Sequence, residues 1–162
     1  MVRKARASWR HRNANEDFSS NHFIMIVGAE WSVDAEGCRA ELLSDMEAVQ
    51  RVCDHIIADL DLQVMGQALW HKFPPPGGVT GLFLLTESHL ACHTYPEMGV
   101  ATFNLYCCRP RPDWPWEDRL ADMLGAARVS VRFRVRGAQG GGVEGAFDSL
   151  GRAIYGQEVE RR

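Results

Sequence analysis

Reactive side chains are concentrated in one short segment of the sequence, residues 86–97. The segment holds a carboxylate at Glu87, a hydroxyl at Ser88, and imidazoles at His89 and His93. Hydroxyl and imidazole groups at such close spacing could perform nucleophilic or acid-base chemistry, because histidine takes up and releases protons near neutral pH. The segment is therefore the first candidate for a functional site.

A zinc site is one interpretation, because His89, His93 and the later Cys107 and Cys108 are side chains that zinc binds. The spacing argues against it. The sequence has no C-x2-C pair, and two adjacent cysteines on a strand would point to opposite faces of the sheet. We therefore expect no metal site.

A hydrolase triad is a second interpretation, with Ser88 or a cysteine as the nucleophile and His93 as the base. The sharp turn of a nucleophile elbow needs glycines beside the serine. Here the two neighbours are Glu87 and His89. The sequence therefore disfavours a hydrolase.

The residues around this serine also follow a long and unusual order, in which the positions share one register: Thr86-Glu87-Ser88-His89-Leu90, His93-Thr94-Tyr95-Pro96-Glu97, Phe73 and Gly78-Val79-Thr80-Gly81 upstream, and Cys108 downstream. This order closely resembles the self-cleavage segment of the bacterial S-adenosylmethionine decarboxylases, the pyruvoyl enzymes of polyamine synthesis. The similarity covers the chain from about residue 22 to residue 136.

The resemblance implies that Ser88 attacks the carbonyl of Glu87 and turns the peptide bond into an ester. β-Elimination, with His93 taking the α-proton, then splits the chain and leaves a pyruvoyl group in place of Ser88. The products are a β chain of residues 1–87 and an α chain of residues 88–162, which has 75 residues.

The same resemblance assigns two further residues to the chemistry. Thr80 stands where the family has a processing hydroxyl, usually a serine, that helps to hold the cyclic intermediate. Cys108 matches the cysteine that returns a proton to the α-carbon, a task that a thiol can perform at neutral pH. The pyruvoyl ketone forms a Schiff base with the substrate amine and draws off electrons as carbon dioxide leaves. Cys107 would then be a packing residue.

Phe73 and Glu97 are candidate substrate-binding residues. Phe73 falls where the family places an aromatic ring on the adenine, but the loop of residues 74–78 is one residue longer than usual, so a place in the core remains an alternative. Glu97 could bind the ribose hydroxyls or the sulfonium charge, or it could be a solvated turn carboxylate. His89 shares the face of His93 by strand alternation, and its role could be structural.

The main functional hypothesis is a self-cleaving S-adenosylmethionine decarboxylase that makes the aminopropyl donor for spermidine. One alternative is a pyruvoyl decarboxylase of arginine or ornithine on the same scaffold, because fold and cofactor do not fix the substrate. Another is an uncleaved regulatory partner of a second decarboxylase subunit.

Composition limits the partners and the compartment. The chain has 162 residues, of which 46% are hydrophobic, and a net charge of −3, which is ordinary for one soluble domain and gives no bulk attraction to nucleic acid or to anionic membranes. Its apolar runs are far shorter than a membrane span. Five cysteines are an odd count, which indicates reduced thiols and a cytoplasmic location.

The patterning predicts the elements that carry these residues. We expect strands over 22–29 (ended by Gly28), 62–72, 79–86, 89–95, 100–108 and 129–136, the last with alternating valine and arginine. One continuous helix should run from Leu42 to Leu60 with Cys53 in its apolar stripe. A second helix should begin at an Asp113 cap and end at Gly125.

These elements predict an α+β fold, a two-layer sandwich of an antiparallel sheet with helices on one face. Residues 1–21 form a basic N-terminal tail, residues 22–136 the decarboxylase domain, and residues 137–162 a glycine-rich link and a C-terminal tail with a weak helical pattern. A sheet covered on one side leaves its other face open, and the family resembled here pairs two protomers sheet to sheet. We therefore expect a homodimer of cleaved αβ protomers.

Overall fold

The structure is a computed structural model that describes residues 26–137 and the pairs 143–144, 146–147 and 153–154. Its strands are β1 (Ile26–Glu36), β2 (Leu69–Lys72), β3 (Val79–Leu85), β4 (Ser88–Tyr95), β5 (Val100–Cys107), β6 (Arg128–Gly137), β7 (Val143–Glu144), β8 (Ala146–Phe147) and β9 (Ala153–Ile154). The described helices are α1 (Ala40–Leu43), α2 (Met46–Asp59) and α3 (Trp116–Leu124), and a 3-10 turn spans Pro96–Met98.

Seven strands form one antiparallel sheet in the order β2-β3-β4-β5-β1-β6-β7, and β8 pairs with β9. The register sets Thr80 of β3 opposite His93 of β4, and Ser88 of β4 opposite Cys107 of β5. Together with helices packed on one face, this arrangement confirms the predicted α+β two-layer sandwich.

The inner face of the sheet packs against α2 and α3. Trp31, Leu90 and Leu105 of the sheet share one buried cluster with Val52 of α2 and Leu120 of α3. Burying one large apolar side chain contributes about 1.5–3 kcal/mol. Because strand residues alternate between faces, this core determines which residues must point to the other side.

The opposite side, the outer face, carries mostly polar side chains of β1, β4, β5 and β6, whereas β3 contributes the apolar Leu82 and Leu84. At the β1-β6 end of this face, arginines of β6 pair with carboxylates of β1. Arg132 pairs with Asp34 at 3.0 Å, and Arg136 pairs with Glu30 at 2.7 Å. These two arginines therefore form ion pairs with carboxylates of the same sheet.

The first strand extends further than the sequence pattern predicts. Gly28 does not end it, because β1 continues to Glu36, pairing with β5 and β6. A side chain at Gly28 would come within 2.7 Å of the Tyr106 ring, so glycine here permits a close approach rather than a turn. The part of this strand before Ile26 lies outside the described residues.

The two helices also differ in detail from the prediction. The continuous stripe is divided at Ser44 and Asp45, where the Asp45 side chain accepts a hydrogen bond from the Glu47 N–H and caps α2. Cys53 is buried in the core, as predicted. Asp113 is not a helix cap: it accepts a hydrogen bond from the Trp31 indole at 3.3 Å, and α3 begins only after Pro115.

One more strand prediction changes in the structure. The pattern over 62–72 yields a strand only at Leu69–Lys72, because Gly66 has a φ of +75° and Val64 makes a single bridge to Leu85. Bounds of the other four strands agree to within one residue.

Both chain ends fall mostly outside the described residues, including the basic tail and the link of residues 138–142. The pairs that are described after residue 137 are strands, where the pattern indicated a weak helix. Among the described helices, none combines the length and the hydropathy that crossing a membrane requires.

Candidate active site

The Glu87–Ser88 junction follows the tight turn between β3 and β4. Main-chain hydrogen bonds hold this turn: the Thr86 N–H donates to the Gln63 carbonyl, and the Cys108 N–H donates to the Glu87 carbonyl, both at 2.9 Å. A donor on the Glu87 oxygen polarises the carbonyl carbon that a nucleophile would attack. The peptide bond before Ser88 thus has a fixed and polarised carbonyl.

Ser88 begins β4 in a strained conformation, with a φ of +149°. Residues with a side chain rarely adopt such a value, and the strain costs about 1–3 kcal/mol. In a regular strand Ser88 and His89 would point to opposite faces. Here the Ser88 Oγ lies 3.1 Å from the His89 Nδ1, so the strained backbone brings the hydroxyl to an outer-face imidazole.

The Glu87 side chain is fixed beneath the junction. It is only 4% exposed, accepts a hydrogen bond from the Thr86 hydroxyl at 2.8 Å, and forms an ion pair with Arg111. Burial alone would raise the pKa of this carboxyl, but the Thr86 hydrogen bond and the Arg111 charge lower the pKa below its ordinary value. Glu87 is therefore a charged anchor for the residue whose carbonyl is attacked.

Thr80 and His93 form a second polar pair on the outer face. The Thr80 Oγ1 and the His93 Nδ1 are hydrogen-bonded at 2.6 Å, across the pairing of β3 with β4. This contact fixes the orientation of the ring. The two residues that the sequence assigns to processing are therefore in direct contact.

A small pocket of about 250 Å³ adjoins His93. Phe73, Tyr95 and Glu97 line it, and both aromatic rings contact the imidazole, with centroid distances of 5.5 Å for Phe73 and 4.4 Å for Tyr95. Phe73 is exposed rather than packed in the core. The structure thus brings both candidate substrate-binding residues together beside His93.

The two adjacent cysteines lie in different environments. Cys107 is fully buried on the inner face, and burial raises the pKa of its thiol to about 11. Cys108 follows the end of β5 and is exposed beside the junction. Of the two thiols, that of Cys108 is therefore the one open to solvent, and its catalytic role stays a prediction.

The candidate residues fall into two groups within one chain. Glu87 and Cys108 lie next to Ser88 at the start of β4, whereas His93 lies five residues further along β4, with Thr80 opposite it on β3. At a rise of about 3.3 Å per residue, Ser88 and His93 are about 16 Å apart along the strand. One chain therefore does not bring Ser88 and His93 into contact.

The described residues contain no group of three or more histidine, cysteine, aspartate or glutamate side chains arranged to hold a metal ion. The family model described as S-adenosylmethionine decarboxylase matches residues 29–137, which is most of the described chain. The chain belongs to the S-adenosylmethionine decarboxylase family.

Individual proteins agree with this family. A relative named S-adenosylmethionine decarboxylase proenzyme, from Syntrophomonas wolfei, is 33% identical over 116 residues, which are 70% of this chain and 90% of the relative. One of the same name from Archaeoglobus fulgidus is 32% identical over 84 residues, 52% of this chain and 73% of the relative. The crystal structure of the adenosylmethionine decarboxylase from Aquifex aeolicus has a TM-score of 0.58 and 25% identity, and covers 72% of this chain and 95% of that one.

Three site residues of this S-adenosylmethionine decarboxylase family member escape reasoning from the sequence. Arg111 stands among prolines in what reads as a surface loop, Tyr95 reads as the end of a strand, and Asn104 is one polar residue of an alternating strand. Strand alternation could have placed Asn104 on the outer face. Arg111 pairs with Glu87, which is 24 residues away in the chain, whereas Tyr95 contacts His93 on the same strand.

Proposed function

We propose that the chain cuts itself between Glu87 and Ser88 to form a pyruvoyl group, and that the mature protein decarboxylates S-adenosylmethionine. The observation that carries the proposal is the junction: a strained Ser88 preceded by a carbonyl that the Cys108 N–H holds. Membership of the family, and relatives named as proenzymes, support it.

Cleavage begins when the Ser88 Oγ attacks the Glu87 carbonyl carbon. A C–O bond forms, the C–N bond breaks, and the hydroxyl proton ends on the freed amine. The Cys108 N–H donates to the oxygen on which negative charge develops. Removal of the α-proton of residue 88 then breaks the ester and expels the backbone carboxylate of Glu87, the new C-terminus of the β chain. The unsaturated residue 88 takes up water and releases ammonia, which leaves the pyruvoyl group.

The surroundings of residue 88 fit a pyruvoyl group. The group is made from Ser88 itself, and the exposed Cys108 thiol lies beside the junction. When formed, it supplies a carbonyl that accepts the electrons released as carbon dioxide leaves. Cys108 then donates the proton that returns to the substrate α-carbon, while Cys107 is held in the core.

The pocket beside His93 suits a cationic nucleoside. Phe73 and Tyr95 offer aromatic faces on which an adenine can stack, and Glu97 offers a carboxylate for the ribose hydroxyls or for the sulfonium charge. Arginine and ornithine have no aromatic group for these rings. The pocket therefore favours S-adenosylmethionine over either amino acid.

The cleaved protein is expected to release carbon dioxide from S-adenosylmethionine and not from arginine or ornithine, because only the first substrate can use the aromatic rings. Each substrate, labelled at its carboxyl carbon, is incubated separately and the released gas is counted. The uncleaved Ser88→Ala protein serves as the control and should release none. Release from arginine or ornithine alone would contradict the proposed substrate.

We further propose that a second copy completes each site. The α-proton of residue 88 lies far beyond the reach of His93 in the same chain, since about 16 Å of strand separates them. In a two-fold dimer with outer faces together, the Ser88 end of one sheet can lie over the His93 end of the other, and the reverse holds by symmetry. His93 would then act on the Ser88 of the partner.

An apolar patch on the β2-β3 side of the outer face supports this dimer. It consists of Met65, Leu69, Leu82 and Leu84, and Leu69 and Leu84 are 69% and 63% exposed. Large apolar side chains grouped on an open face are typical of an interface. The ion pairs on β6 would lie at the other side of the same contact.

Light scattering is expected to report twice the 18.2 kDa of one cleaved chain. Leu84→Glu should halve the measured mass and also slow cleavage, because a charge in the apolar patch opposes association. Met98→Glu, a change at another exposed apolar residue outside that patch, is the matched control and should do neither. A fully active particle of single mass would refute the completed-site proposal.

We also propose that the product serves as the aminopropyl donor for spermidine in the cytoplasm. The substrate proposed above yields that donor directly when it loses carbon dioxide. All five cysteines are free thiols, which supports a reducing compartment.

A further inference from the structure

The Ser88 hydroxyl contacts the imidazole of the next residue. Its Oγ lies 3.1 Å from the Nδ1 of His89, within hydrogen-bond distance. His93, the histidine assigned to the later elimination, instead bonds to Thr80. Among the described residues, His89 is thus the imidazole that touches the nucleophile.

The far side of the His89 ring is held by Asn104 of the neighbouring strand. The His89 Nε2 lies 3.0 Å from the Asn104 Oδ1. The Asn104 amide nitrogen donates to the Glu30 carboxylate at 3.1 Å and to the Trp31 carbonyl at 3.4 Å. Because both of these partners only accept hydrogen bonds, the amide nitrogen must face them and the amide oxygen must face His89.

This arrangement determines which ring nitrogen of His89 carries the hydrogen. An amide oxygen only accepts, so the His89 Nε2 must be the donor toward Asn104. In the neutral ring the Nδ1 is then the acceptor, and the Ser88 hydroxyl donates to it. Asn104, His89 and Ser88 therefore stand in the order of an orienting group, a base and a nucleophile.

We propose that His89 is the general base of the first cleavage step and that Asn104 is its positioning residue, an inference that rests on the proposed self-cleavage. The His89 Nδ1 takes the Oγ proton as the Oγ bonds to the Glu87 carbonyl carbon. It returns that proton to the nitrogen of residue 88 as the C–N bond breaks, so no proton is gained or lost. His93 then serves only the elimination.

The strain at Ser88 has a role in this arrangement. Adjacent strand residues normally point to opposite faces, and a φ near −120° would direct the Ser88 hydroxyl away from His89. The observed φ of +149° allows the contact. The backbone conformation thus pairs the nucleophile with a base that is its own neighbour.

The test follows cleavage of freshly translated chains over time in a cell-free system. His89→Ala is expected to slow the appearance of the two fragments about a hundredfold, the usual contribution of a general base. His55→Ala, at an exposed histidine of α2, is the matched control and should cleave like the wild type. Imidazole added to the His89→Ala chain should restore part of the rate, which a purely structural defect would not allow.

Hydroxylamine separates the two histidine roles, because it cuts an ester but not a peptide bond under mild conditions. The His89→Ala precursor stalls before the ester and should resist hydroxylamine. The His93→Ala precursor stalls after the ester and should be cut at residue 87. A hydroxylamine-sensitive His89→Ala precursor, or one that cleaves at the wild-type rate, would overturn the proposal.

Asn104 variants keep the proposal testable if His89→Ala does not fold. Asn104→Asp keeps an acceptor for the His89 Nε2, and Glu30→Gln is added so that an amide rather than a second carboxylate faces the new aspartate. This double variant should keep most of the rate. Asn104→Leu removes the acceptor and should slow cleavage about tenfold, with the slow chains again resistant to hydroxylamine. Equal rates for both variants would overturn the positioning role. A wild-type chain that never cleaves would instead refute the proposed self-cleavage itself.

Discussion

Ser88→Ala is expected to leave a single uncut chain of 162 residues with no decarboxylase activity, whereas the wild type separates into fragments of 87 and 75 residues. The reason is chemical, since alanine has no hydroxyl to attack the Glu87 carbonyl and to become the pyruvoyl group. The loss of cleavage and of decarboxylase activity should be complete rather than partial. Denaturing gels and intact-mass spectrometry measure it directly.

A matched control for this variant is Ser130→Ala, which removes a hydroxyl from β6, away from the junction. That protein should cut itself and decarboxylate like the wild type. The Ser88→Ala chain should remain folded, because the residue is only partly buried and alanine can start a strand. An intact wild-type chain after prolonged incubation would contradict the proposed self-cleaving enzyme.

His93→Ala is expected to slow the release of fragments about a hundredfold or more, because the base that removes the α-proton is lost while the first step still proceeds. Hydroxylamine should cut the stalled chain at the ester, giving the same two lengths. Rapid, normal cleavage of this variant would show that another group is the base. Decarboxylation should fall with the amount of mature protein.

Mixing the two variants tests whether His93 acts across a dimer. When Ser88→Ala and His93→Ala chains are co-expressed with different tags, a mixed dimer holds one intact Ser88 opposite one intact His93. The His93→Ala chain should then be cut much faster than it is alone. The Ser88→Ala chain should stay whole in every mixture. If the mixture releases fragments no faster than His93→Ala alone, His93 does not act in trans.

Much of the fold follows from local patterns in the sequence. The alternation of β3, β4, β5 and β6 gives strand bounds that agree closely with the structure, because each strand has one apolar face that must be buried. The same alternation separates Cys107 from Cys108. The local pattern gives a wrong prediction where the residue type depends on a contact distant in sequence. Gly28 packs closely against Tyr106, and Asp113 accepts a hydrogen bond from Trp31.

The candidate chemistry divides in a similar way. The order of Glu87, Ser88, His93 and Cys108 is a linear motif, so the sequence alone indicates the family and predicts the junction. The tertiary structure decided which groups meet. It paired Arg111 with Glu87, directed the Cys108 N–H to the Glu87 carbonyl, and separated His93 from Ser88.

His89 shows the physical reason most clearly. In the sequence it is a second histidine on the face of His93, and nothing local assigns it a role. Its tautomer is set by Asn104, whose own orientation depends on Glu30 and Trp31, residues that β1 brings beside β5. The sequence determines which reactive groups the chain contains and which of them share a face of the sheet. The direction of each hydrogen bond depends on partners that only the folded sheet brings together.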